Sequence, residues 1–140
     1  MLIASDLVRQ ILEAAAATPH EEVCGLLFGT TDTILRAQPC RNVAADPARW
    51  FEIDPAALIA AHRATRSGGP AIVGWYHSHP TGLAQPSPRD AASAAPDGML
   101  WLIAAGGALR AWRAVEHGPG EGRFEAVRLR ALSLDHDTRA

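Results

Sequence analysis

The sequence predicts a mixed α/β (α+β) sandwich, a β-sheet with helices packed on its faces. Three observations predict it. Segments of helical periodicity alternate along the chain with short apolar runs. The later runs, at 99–105 and 108–115, flank Gly106-Gly107 as a hairpin. The chain has 140 residues, the size of one domain, and such a domain buries about 68–70% of its unfolded surface without staples.

Each element has its own signal. In residues 5–17, Leu7, Val8, Ile11, Leu12 and Ala15 form one helical stripe, with Ser5 or Asp6 as the expected cap and Pro19 as the stop. Residues 23–28 are a continuous apolar run bounded by Gly29-Thr30-Thr31-Asp32, suited to a buried strand, and 33–37 form a second strand. Residues 39–49 are loop-like, and Trp50-Phe51-Glu52-Ile53 alternates weakly as a further strand. Asp54-Pro55 puts an acid at a cap and a proline at the first helical position; that helix runs to about residue 66 and ends at Gly68-Gly69-Pro70. Residues 71–76 are a strand that leads directly into His77. A polar, proline-rich loop follows, then a short helix from Ser87. Residues 124–129 alternate as the last strand. The whole is expected to be a single domain at 1–131 with a polar tail at 132–140.

Composition excludes several classes of function. No apolar run approaches the 18 uncharged residues of a membrane span. Asp6, Arg9 and Glu13 interrupt the first apolar pattern, which is wrong for a secretory signal, so a cytoplasmic protein is expected. A net charge of −2 does not suit a phosphate-neutralising nucleic-acid binder. All 13 basic residues are arginine, which removes Schiff-base and P-loop lysine chemistry. Two cysteines, Cys24 and Cys40, are too few for a disulfide framework and read as reduced thiols, with Cys24 in the core.

The informative stretch runs from His77-Ser78-His79-Pro80 to Ser87-Pro88-Arg89-Asp90, the pattern H-x-H, seven residues, S-x-x-D. On a strand, residues i and i+2 share a face, so His77 and His79 present two imidazoles together while Ser78 faces away. Two imidazoles and a carboxylate, supplied by Asp90 if the loop folds back, suit a divalent metal, most plausibly zinc. Three protein ligands leave a position open for water, the mark of a catalytic rather than a structural zinc. Chance alone gives the spacing on the order of 1 time in 2,000 for this composition. Ser87-Pro88-Arg89-Asp90 is equally a helix N-terminus, with Ser at the cap, Pro at N1 and an acid at N3; the cap would fix Ser87 and Asp90 at the site. Attack by water also needs a general base. Glu21 and Glu22, just before the 23–28 run, both qualify by position.

These residues resemble the JAMM (MPN-plus) metalloprotease family. The resemblance rests on Glu22 ahead of Val23-Cys24-Gly25-Leu26-Leu27-Phe28-Gly29, on Gly74-Trp75-Tyr76-His77-Ser78-His79-Pro80, and on Ser87-Pro88-Arg89-Asp90. Arg41-Asn42-Val43 and Phe51-Glu52-Ile53-Asp54-Pro55 are also similar to compact bacterial members, so it covers about residues 1–130. The resemblance implies a curved mixed sheet between helices, related to the cytidine deaminase architecture. It implies His77, His79 and Asp90 as ligands of one zinc ion, Glu22 rather than Glu21 as general base, and Ser87 as the donor to the scissile carbonyl oxygen. The activity implied is that of a peptidase or isopeptidase on a small ubiquitin-fold or sulfur-carrier protein ending in Gly-Gly. It would remove a cysteine or other adduct, trim a precursor, or cleave a conjugate.

Other readings have weaker support. A non-catalytic scaffold of the MPN type would not need the intact ligand set. A nucleobase deaminase would need H-x-E and P-C-x-x-C, and neither is present. Ser78 lacks the G-x-S-x-G elbow of a serine hydrolase. Trp75, Trp101 and Trp112 are expected in the core, and His20, His62, His117 and His136 have no assigned role.

Overall fold

The computed structural model describes residues 1–116 and 123–133; the expected polar tail beyond 133, His117 and His136 lie outside the described residues. The elements in order are β1 (Leu2–Ala4), α1 (Ser5–Ala17), β2 (Cys24–Gly29), β3 (Thr33–Cys40), α2 (Pro55–Arg66), β4 (Ala71–Ser78), α3 (Pro88–Ser93), β5 (Leu100–Ala105), β6 (Ala108–Ala114), β7 (Phe124–Val127) and β8 (Arg130–Leu132). The strands form one mixed sheet in the order β7-β6-β5-β4-β2-β3-β1-β8. β4 is parallel to β5, and β1 is parallel to both β3 and β8; the remaining pairs are antiparallel. Register shifts after Leu27 and after Phe28 mark irregularities in β2 against its two neighbours, the kind of feature that bends a sheet.

Both faces of the central strands are covered, and every residue of β2 and β5 is buried. Alternation divides them. Leu27, Tyr76, Leu100, Leu102 and Ala104 join Ile3, Ile11 and Ile34 in the cluster under α1. Leu26 and Phe28 pack with Ala61 of α2 on the opposite face. Cys24, Phe51, Trp101 and Phe124 continue that opposite face toward α3. Trp75 and Trp112 are half-buried around the same cluster, so the tryptophans of the strands pack as the sequence suggests. Among the described residues, no helix is long and apolar enough to cross a membrane.

The structure departs from the sequence reading at the edges of elements. Helix α1 has no side-chain cap: β1 runs straight into it, Ala4 occupies the cap position, and Asp6 pairs with Arg9 at 2.7 Å instead. β3 extends through Pro39 and Cys40, which the sequence assigned to a loop. A proline fits there because β1 covers β3 only at Thr33 and Ile34, leaving the outer edge beyond without a paired strand among the described residues. Residues 50–53 form no strand; their one ladder contact is the bridge between Ile53 and Asn42. The run at 124–129 is a strand only as β7, over Phe124–Val127, and a separate strand after it, β8, leaves the β6 side and pairs with β1 at the far edge.

Two glycines mark where strands approach closely. A Cβ on Gly25 would strike the Tyr76 ring and the Gln38 carbonyl, and one on Gly74 would strike the Leu100 carbonyl of β5. Gly74→Ala must therefore push β4 from β5, and we expect it to destabilise the fold by about 2 kcal/mol. Urea unfolding checks this: the midpoint should fall with the slope unchanged, and an unaltered midpoint would show that the strands separate at no cost.

Candidate metal centre

Pairing of β2 with β4 builds the site. Cys24 lies opposite His77 in this antiparallel pair, so the residue two before Cys24 and the residue two after His77 meet at one end of the sheet. These are Glu22 and His79. The same register row continues to Cys40 on β3, which makes Cys24 the neighbour of His77 on the face that carries the site.

His77, one residue before the end of β4, is fully buried and stacked on Phe51 with ring centroids 4.3 Å apart and planes inclined by 17°. Trp101 meets the same ring edge-on at 5.8 Å. His79 is held from the other side: its Nδ1 lies 2.8 Å from the Leu83 carbonyl. A carbonyl only accepts, so Nδ1 carries a proton; in the neutral ring Nε2 is then the lone pair, and in the protonated ring it donates to Asp90 Oδ2. The third group arrives on α3, where Ser87 Oγ accepts from the Asp90 N–H at 3.0 Å and the Ser87 N–H donates to Asp90 Oδ2 at 2.9 Å. This reciprocal capping box fixes the Asp90 carboxylate, itself only 1% exposed, at the helix N-terminus.

The three groups converge. His77 Nε2, His79 Nε2 and Asp90 Oδ2 form a triangle with sides of 3.1, 3.1 and 3.2 Å. A tetrahedron of ligands at 2.0–2.1 Å from zinc has edges of about 3.3 Å. Two imidazole nitrogens facing each other across such a gap repel unless a cation or proton lies between them. The donor set and its spacing therefore fit a zinc ion. A carboxylate oxygen of Glu22 lies within 4.8 Å of a ring nitrogen of each histidine, beside the triangle. Glu22 Oε1 and Asp90 Oδ1 are buried polar atoms with no partner among the described residues.

The environment sets the charges. Burial pushes the Glu22 carboxyl up to about 7, partly opposed by His79 and reinforced by Asp90. Burial also opposes ionisation of Asp90, but the hydrogen bonds to His77 and His79 outweigh it and hold the carboxyl well below its ordinary range. His77 is lowered by its burial. In His79 burial acts the same way, yet the contacts with Asp90 and the Leu83 carbonyl prevail and raise it. Cys24, buried and beside Cys40 and Glu22, is pushed up to about 12.

The site opens to solvent through a cleft of about 510 Å³ whose lining includes Glu22, Arg49, His79, Gln85 and Ser87. The two acids left open by spacing differ sharply here: Glu22 is buried at the cleft and Glu21 is exposed. His20 and His62 are exposed as well. Sequence reasoning gave no role to Phe51, which backs His77, or to the Leu83 carbonyl, which orients His79. Phe51 lay in a segment whose alternation resembled a strand. A backbone carbonyl in a loop leaves no mark in a sequence.

Comparison with known proteins supplies the family. Residues 4–115 match the model described as prokaryotic homologs of the JAB domain. Over 93 residues the chain is 42% identical to a desampylase of Haloferax volcanii, spanning 65% of this chain and 67% of that protein. It is also 42% identical over 72 residues to a probable TtuB-protein conjugate cleaving protease of Thermus thermophilus, 51% of this chain and 47% of that one. In fold it matches the JAB1/MPN domain protein AF2198 of Archaeoglobus fulgidus, at 22% identity with a TM-score of 0.61 and coverage of 94% and 97%. A family match over most of the chain, on a sheet of the same architecture, means that this protein belongs to the prokaryotic branch of the JAMM family.

Proposed function

We propose that the protein is a zinc-dependent JAMM isopeptidase acting on conjugates of a small ubiquitin-like or sulfur-carrier protein. The Haloferax relative is a desampylase and the Thermus relative a probable protease of TtuB conjugates, which supports that reaction class. The observation that carries the reading is the triangle of His77, His79 and Asp90 with the buried Glu22 carboxylate beside it. In this proposal His77, His79 and Asp90 hold one zinc ion per chain. The bond cut follows a C-terminal Gly-Gly, whether the group removed is a cysteine, a precursor extension or a conjugated lysine. The working domain runs from residue 1 through β8, which carries it one residue past the expected boundary at 131, and the unpaired thiols Cys24 and Cys40 suit a cytoplasmic location. No nucleic acid or membrane takes part.

Zinc in this site supplies Lewis acidity toward the attacking water and the scissile carbonyl. The chain's own groups do the rest. Glu22 takes a proton from the attacking water on its carboxylate and returns it to the departing amine. Burial, which raises this carboxyl, makes it a stronger base than an exposed glutamate. Ser87 Oγ already accepts from the Asp90 N–H, so what it offers a substrate is its hydroxyl proton, aimed at the oxygen that becomes negative. The capping box sets Ser87 and Asp90 at a fixed separation on one helix turn.

Removal of the base and removal of a ligand should separate cleanly. Glu22→Gln is expected to keep its zinc, by atomic absorption, and to lose about 10²–10⁴ in turnover of a Gly-Gly isopeptide substrate. His77→Ala or Asp90→Ala should lose metal and activity together. A folded wild-type protein with no affinity for zinc would instead be a non-catalytic scaffold. Ser87→Ala should reduce kcat by about 10²–10³; a drop of less than about tenfold would leave the hydroxyl as a helix cap only.

Zinc affinity should rise with pH. His79 holds its proton more tightly than an ordinary histidine, and loading must expel that proton. His77, lowered by burial, gives up its proton at a lower pH than His79. A competition titration with a chelator should therefore show about a tenfold gain per pH unit below the His79 pKa and a plateau above it. A slope of two would mean that a second proton is displaced.

A further inference from the structure

Ser78 sits between the two histidines, faces away from them, and is only 3% exposed. It is not idle. Its Oγ accepts a hydrogen bond from the Val23 N–H at 2.9 Å. On the other side of the same peptide group, Asn42 Nδ2 donates to the Glu22 carbonyl at 2.9 Å. One peptide unit, the one that joins Glu22 to Val23, is thus gripped at both polar ends by side chains.

The grip matters because the sheet does not reach this peptide. The ladders of β2 begin at Cys24, with His77 on one side and Cys40 on the other. Beyond the last rung a peptide plane is free to rotate unless something holds it, and its rotation swings the side chain on its Cα. The two holders are themselves fixed. Asn42 uses all its hydrogen-bonding capacity within the loop, donating also to the Trp50 carbonyl and accepting from the Ala44 and Glu52 N–H groups, each at 3.0 Å. Ser78 is anchored by its own N–H, which donates to the Val23 carbonyl at 3.0 Å. Glu22 adds a bond from its N–H to the Pro47 carbonyl at 2.8 Å.

We propose that Ser78 and Asn42 are positioning residues that clamp the Glu22–Val23 peptide and thereby fix the direction in which the Glu22 carboxylate enters the site. Ser78 gauges the base against the ligands because it belongs to the same strand end as His77 and His79. The inference rests on the function proposed above for Glu22, and its test has one arm that does not depend on turnover.

The probe is a ubiquitin-fold protein whose Gly-Gly terminus is joined by an isopeptide bond to a fluorescent lysine. With the zinc-loaded enzyme, Ser78→Ala should lower kcat by about 10–100-fold, since a misplacement near 1 Å costs on that order. KM and zinc affinity should stay within about twofold, and Ser78→Thr, which keeps the hydroxyl, should retain wild-type kcat. In a Glu22→Gln background, Ser78→Ala should cost nothing further, because the clamp acts only through Glu22. Independently of activity, the pseudocontact shift of the ¹³C-labelled Glu22 carboxyl in the cobalt-loaded protein should move in Ser78→Ala and stay in Ser78→Thr. If Ser78→Ala does not fold, Asn42→Asp, which removes the donor at the other end of the peptide, takes its place with the same expectations. The proposal is overturned if the loss persists in the Glu22→Gln background, if zinc affinity falls in step with kcat, or if the carboxyl shift stays put. A wild-type enzyme that leaves the probe uncut, with the shift still moving in Ser78→Ala, would count against the proposed function and not against the clamp.

Discussion

A carboxylate that is 1% exposed is the constraint around which this end of the molecule is organised. Removing an ionised carboxyl from water costs several kcal/mol unless its oxygens find hydrogen-bond donors or a cation. Asp90 finds a donor in the first turn of α3, where the Ser87 N–H meets Oδ2. The same oxygen faces two imidazoles, 3.1 and 3.2 Å away. The helix terminus thus stabilises the charge while the histidines share it. The chain delivers a negative oxygen and two nitrogen lone pairs to one point, which is what a small hard-to-borderline cation requires.

The sheet explains why these groups meet although they lie far apart in sequence. β2 and β4 run antiparallel with Cys24 opposite His77, so the start of one strand and the end of the other share an edge. The parallel partner β5 then lies on the far side of β4 and buries it. Strand β4 consequently has no freedom to slide: a shift of one residue would send the histidine face into the cluster under α1. Phe51 completes the support by lying flat on His77. It arrives on the loop that Asn42 closes.

Much of this was legible beforehand. The H-x-H pair followed by S-x-x-D carries its own geometry, since strand alternation and a capping box are local rules. Helix α2 was equally plain from Asp54-Pro55, and the structure has the Asp54 side chain accepting from the Ala56 N–H. What could not be read depended on distant partners. β1 is a strand of three residues held by neighbours some thirty and 128 residues away, too short for any periodicity. Residues 50–53 alternate like a strand yet serve as a wall for His77, because alternation records which side chains are buried and not what they face. The choice between Glu21 and Glu22 needed the resemblance to a family; only the folded chain shows one acid buried and the other exposed.

Cys24 stands next to His77 on the face that carries the two histidines. Thiolate sulfur binds zinc well, so such a neighbour is a potential decoy. Burial pushes the thiol up to about 12, and its Sγ turns toward the Cys40 carbonyl at 3.7 Å. The sulfur is thus engaged with a backbone acceptor on β3. Pairing with β3 therefore gives the sulfur a partner of its own, and the cluster of His77, His79 and Asp90 is built from nitrogen and oxygen atoms alone.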